Sequence, residues 1–221
     1  MAGRFITLEG GEGTGKSTQA ATLSRRLGTF GIGVVLTREP GGSPGAEIVR
    51  HVVLSGAARP LGPVAEAVLF AAARRDHLEN LIKPALGRGK WVVCDRFLDS
   101  TRVYQGILDE VGRPFIKGLE KLTVGDALPD ITFILDIPAE IGLARARERR
   151  AGAKPDRFER EDLGYHERLN AAFRDIAKEE PQRCVLINAN RTKDQVAAEI
   201  WMHVKKRLSP ESAPVSAEAL L

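Results

Sequence analysis

The sequence predicts an α/β domain built on a mainly parallel sheet. Short apolar runs alternate along the 221 residues with longer amphipathic ones, which is typical of strands connected by helices. The five candidate strands are continuous aliphatic runs, as expected where helices cover both faces of the sheet. These strands are Phe5–Leu8, Val34–Thr37, Trp91–Asp95, Ile131–Ile137 and Cys184–Ile187.

Helices are predicted between and after the strands. The first opens at residues 15–17 and ends at Gly28. The second begins at Ser43, a capping residue followed by a proline suited to the first helical position. A long helix, Pro63–Ile82, is expected to stop at Pro84 because proline interrupts a helical ladder. The remaining helices are expected at Arg113–Val124, Ala139–Arg150, Asp162–Lys178 and Lys193–Leu208.

Length and composition indicate one domain. Residues 1–208 are long enough to bury a core, and the aperiodic tail 209–221 is expected to lack ordered structure. No run approaches the ~20 apolar residues of a membrane span, and no signal-peptide pattern is present. Cys94 and Cys184 lie far apart in apolar runs, typical of buried thiols. We therefore expect a cytoplasmic protein that does not enter a membrane.

The net charge of +4 comes from one segment. Residues 145–160 contain seven basic and three acidic side chains, and the rest of the chain is balanced. Such a local patch suits a polyphosphate better than a nucleic-acid duplex, so nucleic-acid binding is not expected. Glycine and proline interrupt the segment at 150–155, which predicts a small lid over about 145–160.

A phosphate-binding loop follows the first strand. Residues 10–17 read Gly-Gly-Glu-Gly-Thr-Gly-Lys-Ser, a match to G-x-x-x-x-G-K-[ST] between a strand and a helix. Glycines let backbone N–H groups converge on a phosphate, Lys16 can bridge the β- and γ-phosphates, and Ser17 can ligate Mg²⁺. No guanine-reading [NT]-K-x-D element is present. The loop therefore favours a small-molecule kinase or an NTP-switched binding protein over a GTPase.

Four further segments accompany the loop, and they are Thr37–Gly42 (Thr-Arg-Glu-Pro-Gly-Gly), Phe70–Arg74, Asp95-Arg96 with Ser100–Gly106, and Asp156–Glu159. Together with the loop, these segments resemble the thymidylate kinase family. They occur in the family's order and approximate spacing, over roughly residues 4 to 190.

The resemblance implies a fold, a reaction and partners. The fold is a P-loop NTPase of the nucleoside monophosphate kinase type, with a five-stranded parallel sheet, helices on both faces and a small lid. The reaction transfers the γ-phosphoryl group of ATP to dTMP, giving dTDP and ADP for dTTP synthesis, with Mg²⁺ as cofactor. The resemblance also implies a homodimer, and the predicted helices Pro63–Ile82 and Arg113–Val124 offer apolar faces that could pair. The ATP-binding residues implied are Gly10, Gly11, Glu12, Gly13, Thr14, Gly15, Lys16, Ser17 and Thr18.

Two arginines are candidates for the acceptor's phosphate. Arg38 and Arg96 lie at or just past the carboxyl ends of the second and third strands, the edge at which open parallel sheets bind ligands. Two guanidinium groups there suit a phosphate dianion, and the resemblance assigns both to it. The alternative for Arg38 is an ion pair with a carboxylate such as Glu39. Asp95 occupies the Walker-B position, where it can hold Mg²⁺ or position the acceptor.

Phe70 and Arg74 are candidates for the acceptor's base. They lie four residues apart on a predicted helix and so share a face. Taken alone, Phe70 is more simply a core residue; the resemblance implies that it stacks on the base while Arg74 donates to thymine. The resemblance also assigns base-side polar contacts to Ser100, Thr101 and Gln105, the 2′ side of the sugar to Tyr104, and the sugar 3′-hydroxyl to Glu12.

The charge of the migrating phosphoryl group needs a cation that the loop does not supply. An arginine on that group can be worth ~10³–10⁵ in rate, and the variable loop positions hold none. In this the chain resembles the bacterial subclass, whose lid carries the arginine; Arg157 is the first candidate and Arg149 the second. The full catalytic set predicted is Lys16, Asp95, Arg96, Arg149 and Arg157, with Ser17 and Asp95 as metal ligands.

Two alternatives stay open from the residues alone. Another nucleoside monophosphate or deoxynucleoside kinase would use the same loop and lid. A nucleotide-gated switch could use the basic patch as a docking surface, but it leaves Phe70 and Arg74, next to a second phosphate site, unexplained.

Overall fold

Five strands form a single parallel sheet in a computed structural model that describes residues 3–108, 111–150, 158 and 160–210. The strands are β1 (Phe5–Gly10), β2 (Val34–Arg38), β3 (Trp91–Asp95), β4 (Ile131–Asp136) and β5 (Cys184–Asn188). Their order is β2-β3-β1-β4-β5. Asp95 at the end of β3 pairs in register with Leu8 of β1 and with Arg38 of β2. The carboxyl ends of the three strands therefore meet at one edge, and the predicted five-stranded parallel sheet is confirmed.

Helices connect the strands, as predicted. In the described part of the chain they are α1 (Lys16–Gly28), α2 (Pro44–Ser55), α3 (Gly62–His77), α4 (Lys83–Gly87), α5 (Leu98–Thr101), α6 (Arg113–Thr123), α7 (Ala139–Arg150), α8 (Leu163–Glu179) and α9 (Lys193–Leu208). Capping explains two of the starts: Asp162 accepts from the backbone of the first turn of α8, and Thr192 forms a capping box with Gln195 at α9.

The helices cover both faces of the sheet. Adjacent strand residues alternate between the faces, so that Val93 packs with the side chains of α1 and α9, whereas Val92 packs with Leu78 and Ile82 on the other face. On that second face Phe173 of α8 also packs against Ile134 of β4. Burial on both sides accounts for the continuous apolar runs of the strands.

The expected helix stop at Pro84 is wrong. A π-helical segment, Leu78–Ile82, follows α3, and α4 then begins at Lys83 and runs through Pro84 to Gly87. The π-helical turn restarts the hydrogen-bond ladder, so Pro84 stands in the first turn of α4, where its missing N–H costs nothing. A second π-helical segment, Arg102–Leu108, extends α5 and was not predicted from the sequence pattern.

Other predictions concern cysteines, membrane spans and the tail. Cys94 and Cys184 are free and buried, as expected. Across the described ranges no single helix is long and apolar enough to span a membrane; the bent pair Pro44–Ser55 and Arg59–Gly87, at 84°, meets that test only jointly, by length and composition. The predicted tail lies outside the described residues from 211 onward, as do lid residues 151–157 and 159.

Candidate active site

The loop between β1 and α1 has the backbone of a phosphate cradle. Gly13 and Gly15 adopt φ values of 68° and 92°, left-handed conformations that glycine tolerates best, and Gly15 immediately precedes the N-terminus of α1. A Cβ on Gly13 would lie 1.9 Å from the carbonyl oxygen of Gly142, so α7 packs directly on the loop. The left-handed turn before a helix N-terminus is the arrangement that binds phosphate groups.

Lys16 lies inside this loop. Its Nζ donates to the Gly11 carbonyl oxygen at 2.6 Å and to Thr14 Oγ1 at 3.3 Å. Burial and the nearby Arg96 lower the pKa of Lys16 to about 8, against the opposing effect of the neighbouring carboxylates. The ammonium is thus held among loop oxygens that a polyphosphate could replace.

Ser17 and Asp95 form a candidate site for a divalent cation. The Ser17 hydroxyl donates to Asp95 Oδ2, while the buried Asp95 Oδ1 has no hydrogen-bond partner among the described residues. A carboxylate oxygen left without a donor beside a hydroxyl suits Mg²⁺, which prefers hard oxygen ligands. Over the described ranges no cluster of three His, Cys, Asp or Glu side chains could hold a metal. The pair therefore fits Mg²⁺ that shares its coordination with phosphate oxygens or water.

A cavity of about 220 Å³ adjoins the loop. It reaches the loop at Glu12, Ser17 and Asp95. It brings together every side chain assigned from sequence to the acceptor, namely Glu12, Arg38, Phe70, Arg74, Arg96, Ser100, Thr101, Tyr104 and Gln105. Its two ends differ chemically.

Arg96 dominates the end of the cavity next to the loop. It follows β3 with φ of 68°, and its guanidinium donates to Glu12 Oε1 at 2.5 Å, to Ser100 Oγ at 3.3 Å and to the Gly10 carbonyl at 3.2 Å. The Tyr104 hydroxyl also donates to Glu12, at 3.2 Å. Burial alone would raise the pKa of Glu12, but Arg96 and then Lys16 outweigh it and hold the pKa at about 2.

Arg38 lies at the same end but is half-exposed. Its Nη2 donates to both carboxylate oxygens of Glu47, at 3.0 and 3.2 Å. Arg38 thus pairs with a carboxylate, as the alternative suggested, but the partner named there is wrong, because the buried Glu39 carboxylate binds Arg74 and His77 instead. Arg38 is therefore held by a solvent-accessible partner, which costs little to exchange.

The opposite end combines an aromatic ring with a buried guanidinium. Phe70 packs with Val53 and Ala58 yet stays 9% exposed and lines the cavity. Arg74 Nε donates to Glu39 Oε2 at 2.8 Å, and its Nη2 donates to Thr101 Oγ1 and to the Phe97 carbonyl, each at 3.0 Å. These contacts orient the guanidinium before any ligand binds.

Glu9 is a site residue that the sequence reasoning missed. It is fully buried at the end of β1, accepts from the Phe97 backbone N–H and the Ser100 hydroxyl at 2.7 Å each, and so supports the segment after Arg96. Burial and the charge of Asp99 raise the pKa of Glu9 to about 7. The one signal in the sequence that could have indicated this role is the position of Glu9, an acidic residue that directly follows the apolar run Phe5–Leu8.

Arg50 and Phe158, which line the cavity, were also not predicted as site residues. Arg50 donates to the Pro40 carbonyl at 2.6 Å, and Phe158 meets the Tyr104 ring edge-on at a centroid distance of 4.9 Å. No recognised motif assigns a function to Arg50. Phe158 lies inside the segment Asp156–Glu159, but the resemblance assigned no role to it.

Of the two candidate lid arginines, one is described. Arg149 is exposed on α7, and its charge lies near enough to Glu12 to contribute to that residue's lowered pKa. Arg157 lies outside the described residues. The adjoining part of α7 is anchored, because Arg145 donates to the Ala189 carbonyl at 3.1 Å.

Comparison with known proteins gives a consistent answer. The model of the family described as thymidylate kinase matches residues 8–200. A thymidylate kinase of Bradyrhizobium diazoefficiens is 56% identical over 213 residues, 96% of this chain and 93% of that protein. One of Rhodopseudomonas palustris (strain BisB18) is 57% identical over 207 residues, 93% and 90% of the two chains. The crystal structure of thymidylate kinase from Ehrlichia chaffeensis matches with a TM-score of 0.73 and 34% identity, over 92% of this chain and 100% of that one. The chain belongs to the thymidylate kinase family.

Proposed function

We propose that the loop and the adjoining cavity hold ATP and dTMP side by side, and that the enzyme transfers the γ-phosphoryl group of ATP to dTMP to give dTDP and ADP. Membership of the family makes the chain a nucleoside monophosphate kinase with ATP as phosphoryl donor. The observation that carries the acceptor assignment is the cavity itself. It meets the phosphate loop at a cationic end and carries an aromatic ring and an oriented guanidinium at the other.

On the donor side, Lys16 and the loop backbone bind the phosphates. Lys16 keeps most of its charge at neutral pH with a pKa of about 8, and its present partners are uncharged loop oxygens. An anionic β- or γ-phosphate oxygen is a better acceptor. Ser17 and Asp95 would hold Mg²⁺, which when bound neutralises charge on the phosphates.

On the acceptor side, Arg96 and Arg38 bind the monophosphate. Each now donates to a carboxylate, Glu12 or Glu47, and a phosphate dianion can replace that carboxylate as the acceptor, because its oxygens match the planar guanidinium. Glu12 stays ionised and can accept from the sugar 3′-hydroxyl. Binding the phosphate here sets the acceptor oxygen beside the phosphate loop, which is the positioning that phosphoryl transfer requires.

The base is bound at the far end of the cavity. Phe70 offers a ring face for stacking, and Arg74 offers N–H donors already fixed by Glu39 and Thr101. A donor suits the 4-carbonyl of thymine and not the 4-amino group of cytosine. Arg74 therefore favours dTMP over dCMP.

A coupled assay across acceptors tests this function. With Mg²⁺ and ATP, dTMP should be phosphorylated with a kcat/KM at least about tenfold above that of dCMP, because the 4-amino group of cytosine leaves the buried Arg74 donor unpaired and such a loss costs that much. Omission of Mg²⁺ serves as the control and should abolish turnover. Equal turnover of dCMP, or none of dTMP, would contradict the proposal.

We also propose that the enzyme is a cytoplasmic homodimer. Two free buried cysteines are typical of a reducing compartment. Helix α3 packs against α2 and α6, and these three helices expose large apolar side chains, which are Ile48, Val64, Val68, Phe115 and Leu122. Apolar residues gathered on neighbouring helices are typical of a subunit interface.

A further inference from the structure

We propose that His77 is a positioning residue for the acceptor: through Glu39 it fixes the guanidinium of Arg74, and through Thr37 it fixes the end of β2, which carries Arg38. The proposal rests on the function proposed for the cavity. His77 is 0% exposed at the end of α3 and does not line the cavity, so any effect on the acceptor must pass through its neighbours.

Both ring nitrogens of His77 have partners. Nδ1 lies 3.1 Å from Glu39 Oε1, and Nε2 lies 2.8 Å from Thr37 Oγ1. A carboxylate only accepts hydrogen bonds, so Nδ1 carries a proton and donates to Glu39. The orientation of the ring is therefore determined on both sides.

Glu39 passes this orientation to Arg74. Its second oxygen, Oε2, accepts from Arg74 Nε at 2.8 Å, and Arg74 in turn donates to Thr101. Glu39, Arg74 and His77 are all buried, where a polar network specifies one arrangement if every member has its partner. Without the donor at Nδ1, Glu39 Oε1 would be left unpaired in the interior, and the carboxylate could turn away from Arg74.

The same imidazole supports the loop after β2. A Cβ on Gly42 would lie 2.5 Å from His77 Nε2 and 2.4 Å from Thr37 Oγ1, so the backbone of the loop packs directly against the Nε2 edge of the ring. Gly42 has φ of 89°, which glycine adopts most readily. Arg38 ends β2 directly before this loop, and Glu39 is the first residue after the strand. His77 therefore supports the residues of both the phosphate end and the base end of the cavity without lining the cavity itself.

Among the described residues, the hydrogen bonds of Thr37, Glu39, His77, Arg74 and Thr101 join β2, the loop after it, α3 and α5. None of these bonds reaches the phosphate loop. Loss of His77 should therefore alter dTMP binding and base discrimination while leaving ATP binding nearly unchanged.

Two substitutions of His77 separate its two hydrogen bonds. Asparagine places an amide N–H near the position of Nδ1, whereas glutamine reaches the position of Nε2 and loses the donor to Glu39. We expect His77→Gln to raise the KM for dTMP about tenfold and to lower the dTMP:dCMP ratio of kcat/KM, with the KM for ATP within about twofold, since only acceptor groups are unpaired. His77→Asn should stay within about threefold of wild type for dTMP.

A third variant, Thr37→Val, leaves the histidine in place and keeps the experiment decisive if His77→Gln does not fold. It should raise the KM for dTMP about threefold without changing the KM for ATP, because only the hydrogen bond that anchors the end of β2 to His77 is lost. Parallel increases of both KM values, or an unchanged dTMP:dCMP ratio in His77→Gln, would overturn the positioning role. Wild-type turnover of dTMP tests the proposed function separately.

Discussion

At the scale of single residues, Glu12 shows how the site holds a buried charge. Its carboxylate lies against Arg96 and near Lys16, and these charges keep its pKa at about 2 instead of 4.5. A carboxylate with a lowered folded-state pKa stabilises the fold above pH 4.5, and this contribution is lost as the pH falls toward 2. The shift corresponds to about 3 kcal/mol of stability at neutral pH.

We therefore expect Glu12→Gln to destabilise the fold at pH 7, with a deficit about 1 kcal/mol smaller at pH 3.5 because part of the wild-type contribution is by then lost. Urea unfolding at the two pH values measures this. Glu140→Gln, which removes an exposed carboxylate on α7, is the matched control. A deficit that is the same at both pH values would show that the charge of Glu12 does not stabilise the fold.

Residues that belong to motifs could be predicted from the sequence, and residues that act through partners could not. The sequence predicts Lys16, Ser17 and Asp95 as site residues because their types and spacing are typical of phosphate and metal binding, and the structure places Ser17 against Asp95 beside the loop that holds Lys16. Glu9 and His77 were not, since each gains its role from a segment far away in sequence: Glu9 from Ser100, 91 residues on, and His77 from Thr37, 40 residues back. Hydrophobic periodicity does not indicate contacts between residues so far apart in sequence.

At the scale of elements, α7 links the phosphate loop to the basic segment. A Cβ on Gly142 would lie 2.5 Å from the Glu12 carbonyl oxygen, so the helix is seated on the loop, and Arg149 stands two turns further along it. Helix α7 thus connects the loop to the segment in which the catalytic arginine is expected.

We predict that Arg157→Ala lowers kcat at least tenfold while nucleotide affinity changes little, because a cation on the migrating phosphoryl group acts mainly in the transition state. Arg149→Ala is the second candidate for the same effect. Rapid-quench turnover and equilibrium nucleotide titrations measure the two quantities. Arg147→Ala, another exposed arginine of α7, is the control and should leave kcat unchanged; unchanged kcat in all three variants would move the role elsewhere.

Element boundaries were largely predictable because caps and breakers are local. Predicted helices at 139–150 and 193–208 agree with the structure to the residue. The end of the long helix near Pro84 could not be predicted in this way, because a π-helical turn depends on tertiary packing and leaves no signal in helix propensity. The helical segment after β3 was not predicted for the same reason. It consists of α5, which has four residues, and the π-helical segment Arg102–Leu108 that follows it.

At the scale of the whole molecule, α3 has one face directed to the cavity and another exposed apolar face. One face carries Phe70 and Arg74 into the cavity, while Val64 and Val68, four residues apart on the same helix, are exposed. Ile48 of α2 and Leu122 of α6 are 70% and 76% exposed. If a second copy covers these side chains, subunit contact and acceptor binding share one helix.

We predict that the wild-type protein is a dimer in solution and that Val68→Glu converts it to a monomer, because a carboxylate buried at an apolar interface has no partner to offset its desolvation. Analytical ultracentrifugation measures the mass. The matched control is Met202→Glu, an exposed apolar residue of α9 on the opposite face of the sheet, which should remain dimeric. Compared with wild type, the monomeric variant should also lose more affinity for dTMP than for ATP. The reason is that α3, which would lose the covering subunit, is the helix that presents Phe70 and Arg74. A monomeric wild type at micromolar concentration, or a dimeric Val68→Glu, would rule out this face as the interface.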